Sequence, residues 1–219
     1  MKTDRKLGLE VAEYLVSKGV ETPITETSLT DEEKIELIRE NMEIVVDVLG
    51  LDREDDSIAG TADRVAKMYV SELCSGLSYS NFPKVSVFEN KMGYDQMVVQ
   101  KDITFHSLCE HHLVNFNGMA QIAYIPNDTV VGLSKLNRIV NFFARRPQVQ
   151  ERMTEQIFYA LEYILNTDNI AVLVQGEHLC VKSRGIGDQN SGMTTSKLGG
   201  HFFHKSTVRS EFMSLALQS

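Results

Sequence analysis

Several residue types are scarce in this sequence, and each scarcity excludes a class of protein. The 219 residues contain no tryptophan, four prolines and only three cysteines, which are Cys74, Cys109 and Cys180. Such an odd and sparse set is a poor basis for a disulfide framework, so metal binding or catalysis is the favoured use of these thiols. No apolar run reaches the roughly 18 residues of a membrane span, and the charged start MKTDRKLGLEV lacks the pattern of a secretory signal. We therefore expect a cytoplasmic protein that does not enter a membrane.

Basic charge is also scarce. The 22 lysines and arginines are outnumbered by 30 acidic residues, which gives a formal net charge of -8. Proteins that bind nucleic acid in a general way carry a basic field, so we expect no nucleic-acid partner. An anionic ligand would need a local cluster of basic residues that overcomes this acidic background.

The first 80 residues show the periodicity of helices. The apolar spacing predicts an amphipathic helix over residues 5–19. Thr30 and Glu33 then form the pattern of a capping box, and apolar residues follow it at helical spacing. A third helix is predicted over residues 61–74. Together these segments predict a helical extension over residues 1–80.

From residue 81 onward, alternation of apolar and polar residues predicts strands. The pattern occurs in KVSVFEN, in MVVQKDITF and in VNFNGMAQIAYIP, where Asn117 and Gly118 have the character of a tight hairpin turn. The later segment NIAVLVQGEHLCVKSRG also reads as a strand, and residues 185–200 read as a loop.

Three further helices are predicted in this second part. One covers residues 134–144, the next covers 147–165 with Pro147 in its first turn, and a short one near 207–217 ends the chain. Helices followed by antiparallel strands with a helix pair between them predict an α+β fold, with residues 81–219 as its main domain.

The clearest chemical feature is the stretch LCEHHLV. Cys109 and His112 form a C-x-x-H pair, a spacing that lets two ligands at a turn converge on one tetrahedral ion. Cys180 is the other cysteine of the sheet half, and two thiolates with one imidazole leave a fourth position open, as in catalytic zinc sites. The pair alone is a weak signal, so buried thiols without a metal are the alternative.

Two histidines stand beside this ligand set. His111 directly precedes His112, and His178 lies two residues before Cys180, a spacing that places both on one face if they share a strand. Histidine titrates near neutral pH, so both residues are suited to moving protons beside a metal. The alternative is that they only hydrogen-bond to the metal ligands. Glu110 has no predicted role beyond the turn.

Basic residues recur three apart along two predicted helices. Lys135 and Arg138 share a face near a helix start, where free backbone N–H groups also favour anions. Arg64 and Lys67 repeat the spacing on an earlier helix, and Arg184 lies in the C-terminal part. Each alone is more often a solvated surface charge, whereas together they are candidates for the cluster that an anion needs.

In RRPQVQERM, Gln150 and Glu151 are adjacent. A carboxylate accepts from two parallel N–H donors, a pattern that a guanine edge offers as well as an arginine. The alternative for these two residues is an ordinary polar helix face.

Five blocks of the sequence, CEHH, GLSKLNRIV, RRPQVQER, HLCVKSRGI and TTSKLGG, resemble in this order the GTP cyclohydrolase I family. The resemblance implies hydrolytic opening of the imidazole ring of GTP, loss of carbon 8 as formate and reclosure to 7,8-dihydroneopterin triphosphate. This is a first step toward tetrahydrofolate or another pterin. It also implies a catalytic domain with the tunnelling fold, an antiparallel sheet packed with a helix pair, and a homodecamer of two pentameric rings with active sites between subunits.

The resemblance also assigns roles to the residues of the metal region. It implies that Cys109, His112 and Cys180 hold Zn²⁺ and that water activated by this metal attacks carbon 8. His111 and His178 are implied as the proton-transfer residues.

The substrate contacts follow by the same resemblance. Glu151, with Gln150 beside it, matches the guanine-binding position. The residues that match triphosphate contacts are Ser134, Lys135, Arg138, Arg64, Lys67 and Arg184.

Two departures from the family pattern are visible. The family often has Thr-Pro before the arginine, where this chain has Ala62 and Asp63 before Arg64, and Gly187 stands where a basic residue is common. Both departures bear on substrate affinity more than on the chemistry.

Two other functions compete with this interpretation. One is another zinc hydrolase or deaminase that acts on a nucleotide; the Cys-x-x-His order and the missing H-x-E and P-C-x-x-C signature count against a deaminase. A non-catalytic, zinc-stabilised module that binds purine or pterin nucleotides would need the three metal ligands but would have no use for His111, His178 and Glu151.

Overall fold

The computed structural model describes residues 2–25 and 27–218, and helices and strands alternate along it. Within these residues, no helix is both long and apolar enough to span a bilayer. Met68–Leu73 forms a π-helix that continues α3. The α-helices and strands in chain order are α1 (Arg5–Ser17), α2 (Asp31–Val48), α3 (Thr61–Lys67), β1 (Val87–Glu89), β2 (Val98–Cys109), β3 (Asn115–Tyr124), β4 (Thr129–Val131), α4 (Leu133–Ala144), β5 (Pro147–Gln148), α5 (Gln150–Leu165), β6 (Ile170–His178), α6 (Leu179–Lys182), β7 (Met193–Leu198), α7 (Gly200–His204) and α8 (Ser206–Leu217).

The main sheet has five strands in the order β5-β2-β3-β6-β7. The long strands β2, β3, β6 and β7 are antiparallel neighbours, and the short β5 joins β2 in parallel. β1 and β4 form a separate antiparallel pair. The pairing of β2 shifts register between Gln100 and Ile103, and such an irregularity bends the strand. The predicted α+β fold with antiparallel strands is confirmed.

One face of the sheet is buried by α4 and α5. Both helices present apolar residues at helical spacing, so one side of each helix is excluded from water while the other is not. A smaller apolar cluster lies on the opposite face under α7 and α8, centred on Phe202 and Phe212. The buried residues of the main core on the α4 and α5 side include Phe105, Phe116, Ile122, Leu136, Ile139, Val140, Phe143, Met153, Ile157 and Leu161.

The N-terminal helices pack in two different ways. α1 buries Val11 and Leu15 in the same core as the sheet. α2 has the predicted capping box at Thr30, but Val46 is its buried residue and most of its other apolar side chains are exposed. The predicted helices of this region are present, while the division of the chain into domains at residue 80 stays a prediction.

The predicted hairpin turn at Asn117 and Gly118 is wrong. Both residues lie inside β3 and are paired on both sides, with Gly118 opposite Phe105 of β2 and Gly176 of β6. A Cβ atom on Gly118 would lie 1.9 Å from the carbonyl oxygen of Gln175. Glycine is therefore required here by the close approach of a neighbouring strand and not by a turn.

Three other predicted boundaries also need correction. Pro147 does not open a helix, because it forms β5 beside Leu108, and α5 starts only at Gln150. Cys180 does not share a strand with His178, because β6 ends at His178 and Cys180 lies on α6. The predicted loop over residues 185–200 contains β7, which completes the sheet along β6.

Candidate active site

A tight turn over residues 109–114 joins β2 to β3 and carries most of the predicted site. The N–H of Cys109 donates to the carbonyl of Val114 at 2.8 Å. The N–H groups of His112 and Leu113 donate back to the carbonyl of Cys109, at 3.3 and 2.8 Å. Leu113 has a φ of 51°, a left-handed conformation that lets the chain reverse within a few residues. The backbone thus fixes the directions of the side chains in this turn.

Glu110 braces this turn against the rest of the domain. Its N–H donates to the carbonyl of Gln148 at 3.0 Å, which ties the turn to β5. Its carboxylate forms an ion pair with Arg152 of α5 at 2.5 Å, and both side chains are mostly buried. The residue without a predicted role therefore has a structural contact beside the metal ligands.

Cys109, His112 and Cys180 come together although they are far apart in sequence. Their three ligand atoms all lie within 4.8 Å of one another. A tetrahedral zinc ion, with metal–ligand distances of about 2.0–2.3 Å, separates its ligand atoms by about 3.5–3.8 Å. Two sulfur atoms and one imidazole nitrogen are also donors that zinc prefers. The residues present therefore fit a zinc ion.

The two thiols influence each other. Burial raises the pKa of Cys180, and the hydrogen bond and charge of the neighbouring Cys109 raise it further. A cation has the opposite effect, because the thiolate is the form that binds a metal. A bound metal ion would therefore favour the deprotonated form of Cys180.

His178 lies at the end of β6, where two neighbours hold its ring. The ring stacks flat on Phe116, with centroids 4.6 Å apart and planes 3° apart. Its Nε2 atom lies 3.0 Å from Oε1 of Gln150. Burial lowers the pKa of His178, and the charge of Glu151 opposes this effect. The imidazole is therefore mostly neutral at pH 7.

The adjacent histidines of the turn have differently inclined rings. The rings of His111 and His112 are inclined by 69°, and both residues are exposed. Nδ1 of His111 lies 3.8 Å from Sγ of Cys109. His111 is thus next to the metal ligands without being one of the three that converge.

Gln150 and Glu151 separate at the start of α5. Glu151 is exposed, whereas the side chain of Gln150 is buried, with 1% of its surface accessible. The amide of Gln150 faces the interior and bonds to His178 and to neighbouring backbone. Of the two residues predicted at guanine, the structure leaves Glu151 open to a ligand and encloses Gln150.

The residues predicted to bind triphosphate lie on separate elements. Arg64 and Lys67 are on α3, where Arg64 Nη2 lies 3.0 Å from Oγ1 of Thr61. Arg184 follows α6, and its charge opposes the rise in the pKa of Cys180 that burial causes. Ser134, Lys135 and Arg138 lie in the first turns of α4, which starts after Gly132 without a side-chain cap; the N–H of Lys135 donates to the carbonyl of Gly132.

The departures from the family pattern have local explanations. Asp63 forms an ion pair with Lys67 at 2.8 Å, so the extra acid partly neutralises a predicted phosphate ligand. Ala62 is buried in the first turn of α3. Gly187 has a φ of 70°, a conformation that favours glycine over any residue with a side chain.

Sequence reasoning missed the contacts that hold the site residues in place. The pairing of Phe116 with His178 depends on the register of β3 and β6, which no local pattern encodes. The Glu110–Arg152 pair likewise joins a turn to a helix that is distant in sequence. Gln150 is predicted from the sequence as a guanine contact, and no local pattern indicates that its side chain faces His178.

Comparison with known proteins agrees with this geometry. The family model for GTP cyclohydrolase I matches residues 38–217. The GTP cyclohydrolase 1 of Tolumonas auensis is 52% identical over 94% of this chain and 95% of its own length. That of Aliivibrio salmonicida is 52% identical over 93% and 94%, and that of Pectobacterium carotovorum is 50% identical over 97% of both chains. An apo crystal structure of the archaeosine synthase QueF-Like covers 49% of this chain and 94% of its own at 14% identity and a TM-score of 0.39, too slight a likeness to carry a conclusion. The chain belongs to the GTP cyclohydrolase I family.

Proposed function

We propose that the protein hydrolyses the imidazole ring of GTP, releases carbon 8 as formate and forms 7,8-dihydroneopterin triphosphate. The observation that carries this proposal is the convergence of Cys109, His112 and Cys180 within 4.8 Å in a chain of this family. The product would enter tetrahydrofolate or another pterin biosynthesis.

Zinc is the metal that we propose for these three residues. Two thiolates and an imidazole with an open fourth position are typical of a catalytic zinc site. When bound, zinc supplies a Lewis acid that activates water for hydrolysis near neutral pH. The backbone hydrogen bonds of the 109–114 turn hold two of the ligands in place before the metal arrives.

The histidines beside the ligands are proposed to transfer protons. His178 is mostly neutral because burial lowers its pKa, so it is able to accept a proton from the attacking water. His111 is exposed next to Cys109, and its proposed role is to give a proton to the ring nitrogen whose bond to carbon 8 breaks. These roles require both residues near the metal, and a passive binding module has no such requirement.

The substrate contacts are proposed from exposure and charge. Glu151 is exposed, and its carboxylate is able to accept the N1–H and the exocyclic N–H of guanine together. The triphosphate is proposed to meet the free N–H groups at the start of α4 and a set of basic and hydroxyl side chains. That set is Ser134, Lys135, Arg138, Arg184, Arg64 and Lys67.

We further propose that the chain works as a ring-forming oligomer with the tunnelling fold, a decamer of two pentameric rings with sites between subunits. Both edges of the main sheet are open in the described chain, because β7 pairs only with β6, and β2 has no outer partner over residues 98–107. Open edges favour pairing with another copy. At the end of α2, Val48 and the following Leu49 are 81% and 69% exposed, as expected for residues that a neighbouring subunit covers.

The proposal also includes a division of the chain into two parts and a location in the cell. The helices of residues 1–80 would act as an extension that joins subunits, and residues 81–219 would form the catalytic unit. The three cysteines are free, which fits the reducing interior of a cytoplasm.

Incubation with GTP tests the proposed function directly. The purified, zinc-loaded oligomer is expected to release formate in proportion to a pterin that becomes fluorescent on oxidation. Binding of GTP without either product would instead favour the non-catalytic binding module. The mass of the assembly, measured by light scattering, is expected to be ten times the chain mass of 24.7 kDa.

A further inference from the structure

The amide of Gln150 is the most completely bonded polar group near the proposed site. Its Nε2 atom lies 3.1 Å from the carbonyl of Val174, 3.1 Å from the carbonyl of Met193 and 3.1 Å from Oγ1 of Thr195. Its Oε1 atom lies 3.0 Å from Nε2 of His178. Because the side chain is buried, none of these partners is replaced by water.

These partners determine which way the amide faces. A carbonyl oxygen only accepts hydrogen bonds, so the NH₂ group must point to Val174 and Met193. The reversed amide would place its own oxygen against two carbonyl oxygens in the interior, where an unsatisfied polar group is costly. Oε1 of Gln150 therefore faces His178 for reasons that do not depend on His178.

The orientation of the amide in turn determines the proton position on the imidazole. Oε1 is an acceptor, so the nitrogen that faces it must carry hydrogen. Nε2 of His178 therefore carries its hydrogen whether or not the ring is charged, and Nδ1 is the nitrogen left to gain or lose a proton. The stack on Phe116 fixes the plane of the ring, and the bond from Gln150 fixes its rotation within that plane.

We propose that Gln150 is a positioning residue that sets the tautomer of His178 and leaves Nδ1 as the atom that exchanges protons with the reactants. This replaces a guanine contact as the role of Gln150, because its donors and its acceptor are already bonded inside the protein. The proposal rests on the proposed function for its kinetic test, and it also makes a statement about the proton position that holds without turnover.

Gln150→Met tests the role, because methionine fills a similar volume without polar bonds. We expect kcat to fall about 10- to 100-fold, as for other residues that orient a functional histidine, with KM for GTP within about twofold and bound zinc retained. Gln156→Met is the matched control, since Gln156 is equally buried on α5 but bonds to Gln148 and Val20. It is expected to lose stability without losing kcat. A large rise in KM at unchanged kcat in Gln150→Met would restore the guanine contact and overturn the proposal.

A double-mutant cycle shows whether Gln150 acts through His178. In a His178→Ala background, Gln150→Met is expected to cause no further loss of kcat, because its partner is already gone. An additive loss would contradict the proposal. If Gln150→Met fails to fold, Thr195→Val removes one of the acceptors of the amide and is expected to lower kcat to a smaller extent, again at constant KM.

The tautomer itself is measurable by nitrogen NMR on zinc-loaded protein with ¹⁵N-labelled histidine rings. His178→Ser, which removes one pair of signals, assigns the resonances. We expect a protonated Nε2 and a bare Nδ1 in the wild type. The opposite tautomer would overturn the proposal, whereas an enzyme without GTP turnover but with this tautomer would disprove only the proposed function.

Discussion

The metal ligands and the basic residues of the proposed site are built in opposite ways. Cys109, His112 and Cys180, the metal half, converge within 4.8 Å in a single chain. The basic half lies on α3, on α4 and after α6, and two of its members already have partners on their own helix. Its members are Arg64, Lys67, Lys135, Arg138 and Arg184.

The difference shows which residues of the proposed site a single chain brings together. Backbone hydrogen bonds of a tight turn hold Cys109 and His112, and Cys180 of the same chain completes the ligand set, so these ligands need no other subunit. The basic side chains repel one another until a polyanion is present, and in a chain with a net charge of -8 they stay solvated or paired locally. The metal half is thus preformed. Arg184 lies near Cys180 of its own chain, and we expect Lys135 and Arg138 of α4 to come from a neighbouring copy.

Loss of one thiolate should abolish metal binding by the metal half. In Cys180→Ser a hydroxyl replaces a ligand of a three-residue set, so bound metal and turnover should both be lost. Metal analysis by atomic emission and an assay for formate check this. Cys74→Ser is the control and should keep both, because burial raises the pKa of Cys74 to about 11 and it lies outside the cluster. Full metal occupancy in Cys180→Ser would show the ligand assignment to be wrong.

Removal of a proton-transfer residue should separate chemistry from metal binding. His111→Ser or His178→Ser is expected to lower kcat by roughly 10²–10⁴-fold, the usual share of general acid–base catalysis, while the metal stays bound. The assay pairs formate release with metal analysis of the same preparation. Metal loss in either variant would mean that the histidine is a ligand.

Loss of a basic residue should affect binding alone. In Arg138→Ala the hydrogen bond to a charged phosphate, worth about 1.5–3 kcal/mol, is missing, so KM should rise about tenfold or more at constant kcat. Arg39→Ala is the matched control, because Arg39 pairs with Glu36 on α2 and should leave KM unchanged. Steady-state kinetics at two salt concentrations distinguish a lost charge contact from a folding defect. An unchanged KM in Arg138→Ala would show that Arg138 does not contact the triphosphate.

The smallest effect is expected at the brace of the metal half. Glu110→Gln weakens the pair with Arg152, whose two side chains are 26% and 22% exposed, so the melting temperature should fall only slightly. Metal affinity is expected to fall by about tenfold at most, because the turn keeps its backbone bonds. Competition with a chelator measures this affinity, and a complete loss of metal would contradict the claim that the backbone fixes the turn.

The sequence predicted those features whose causes are local. The capping box at Thr30 and Glu33 formed as expected because its partners are three residues apart. The Cys109 and His112 pair converged for a similar reason, since one turn holds both. Cys180 was predictable as the third metal ligand because it is the other cysteine in the sheet half of the sequence.

Features that depend on strand pairing escaped prediction. Gly118 follows an asparagine, a pair typical of a turn, but it is needed because β6 packs closely against it. Pro147 is typical of a first helical turn, but it pairs with β2. Gln150 is adjacent to Glu151 in sequence, yet the helix start turns one side chain inward and the other outward. Tertiary contacts decided each case, and local propensity did not.

Subunit complementation tests the claim that one copy supplies the metal half together with His178 while another copy supplies Lys135 and Arg138 of α4. His178→Ser chains and Lys135→Ala/Arg138→Ala chains are co-expressed with different tags, and mixed oligomers are assayed for formate at GTP concentrations below KM. If the site is shared, roughly a quarter of the sites in an equal mixture should regain both intact halves by symmetry. A mixture of His178→Ser with Cys180→Ser, both in one half, should regain none. Absence of recovery in the first mixture would contradict the account, because it would place both halves in a single chain.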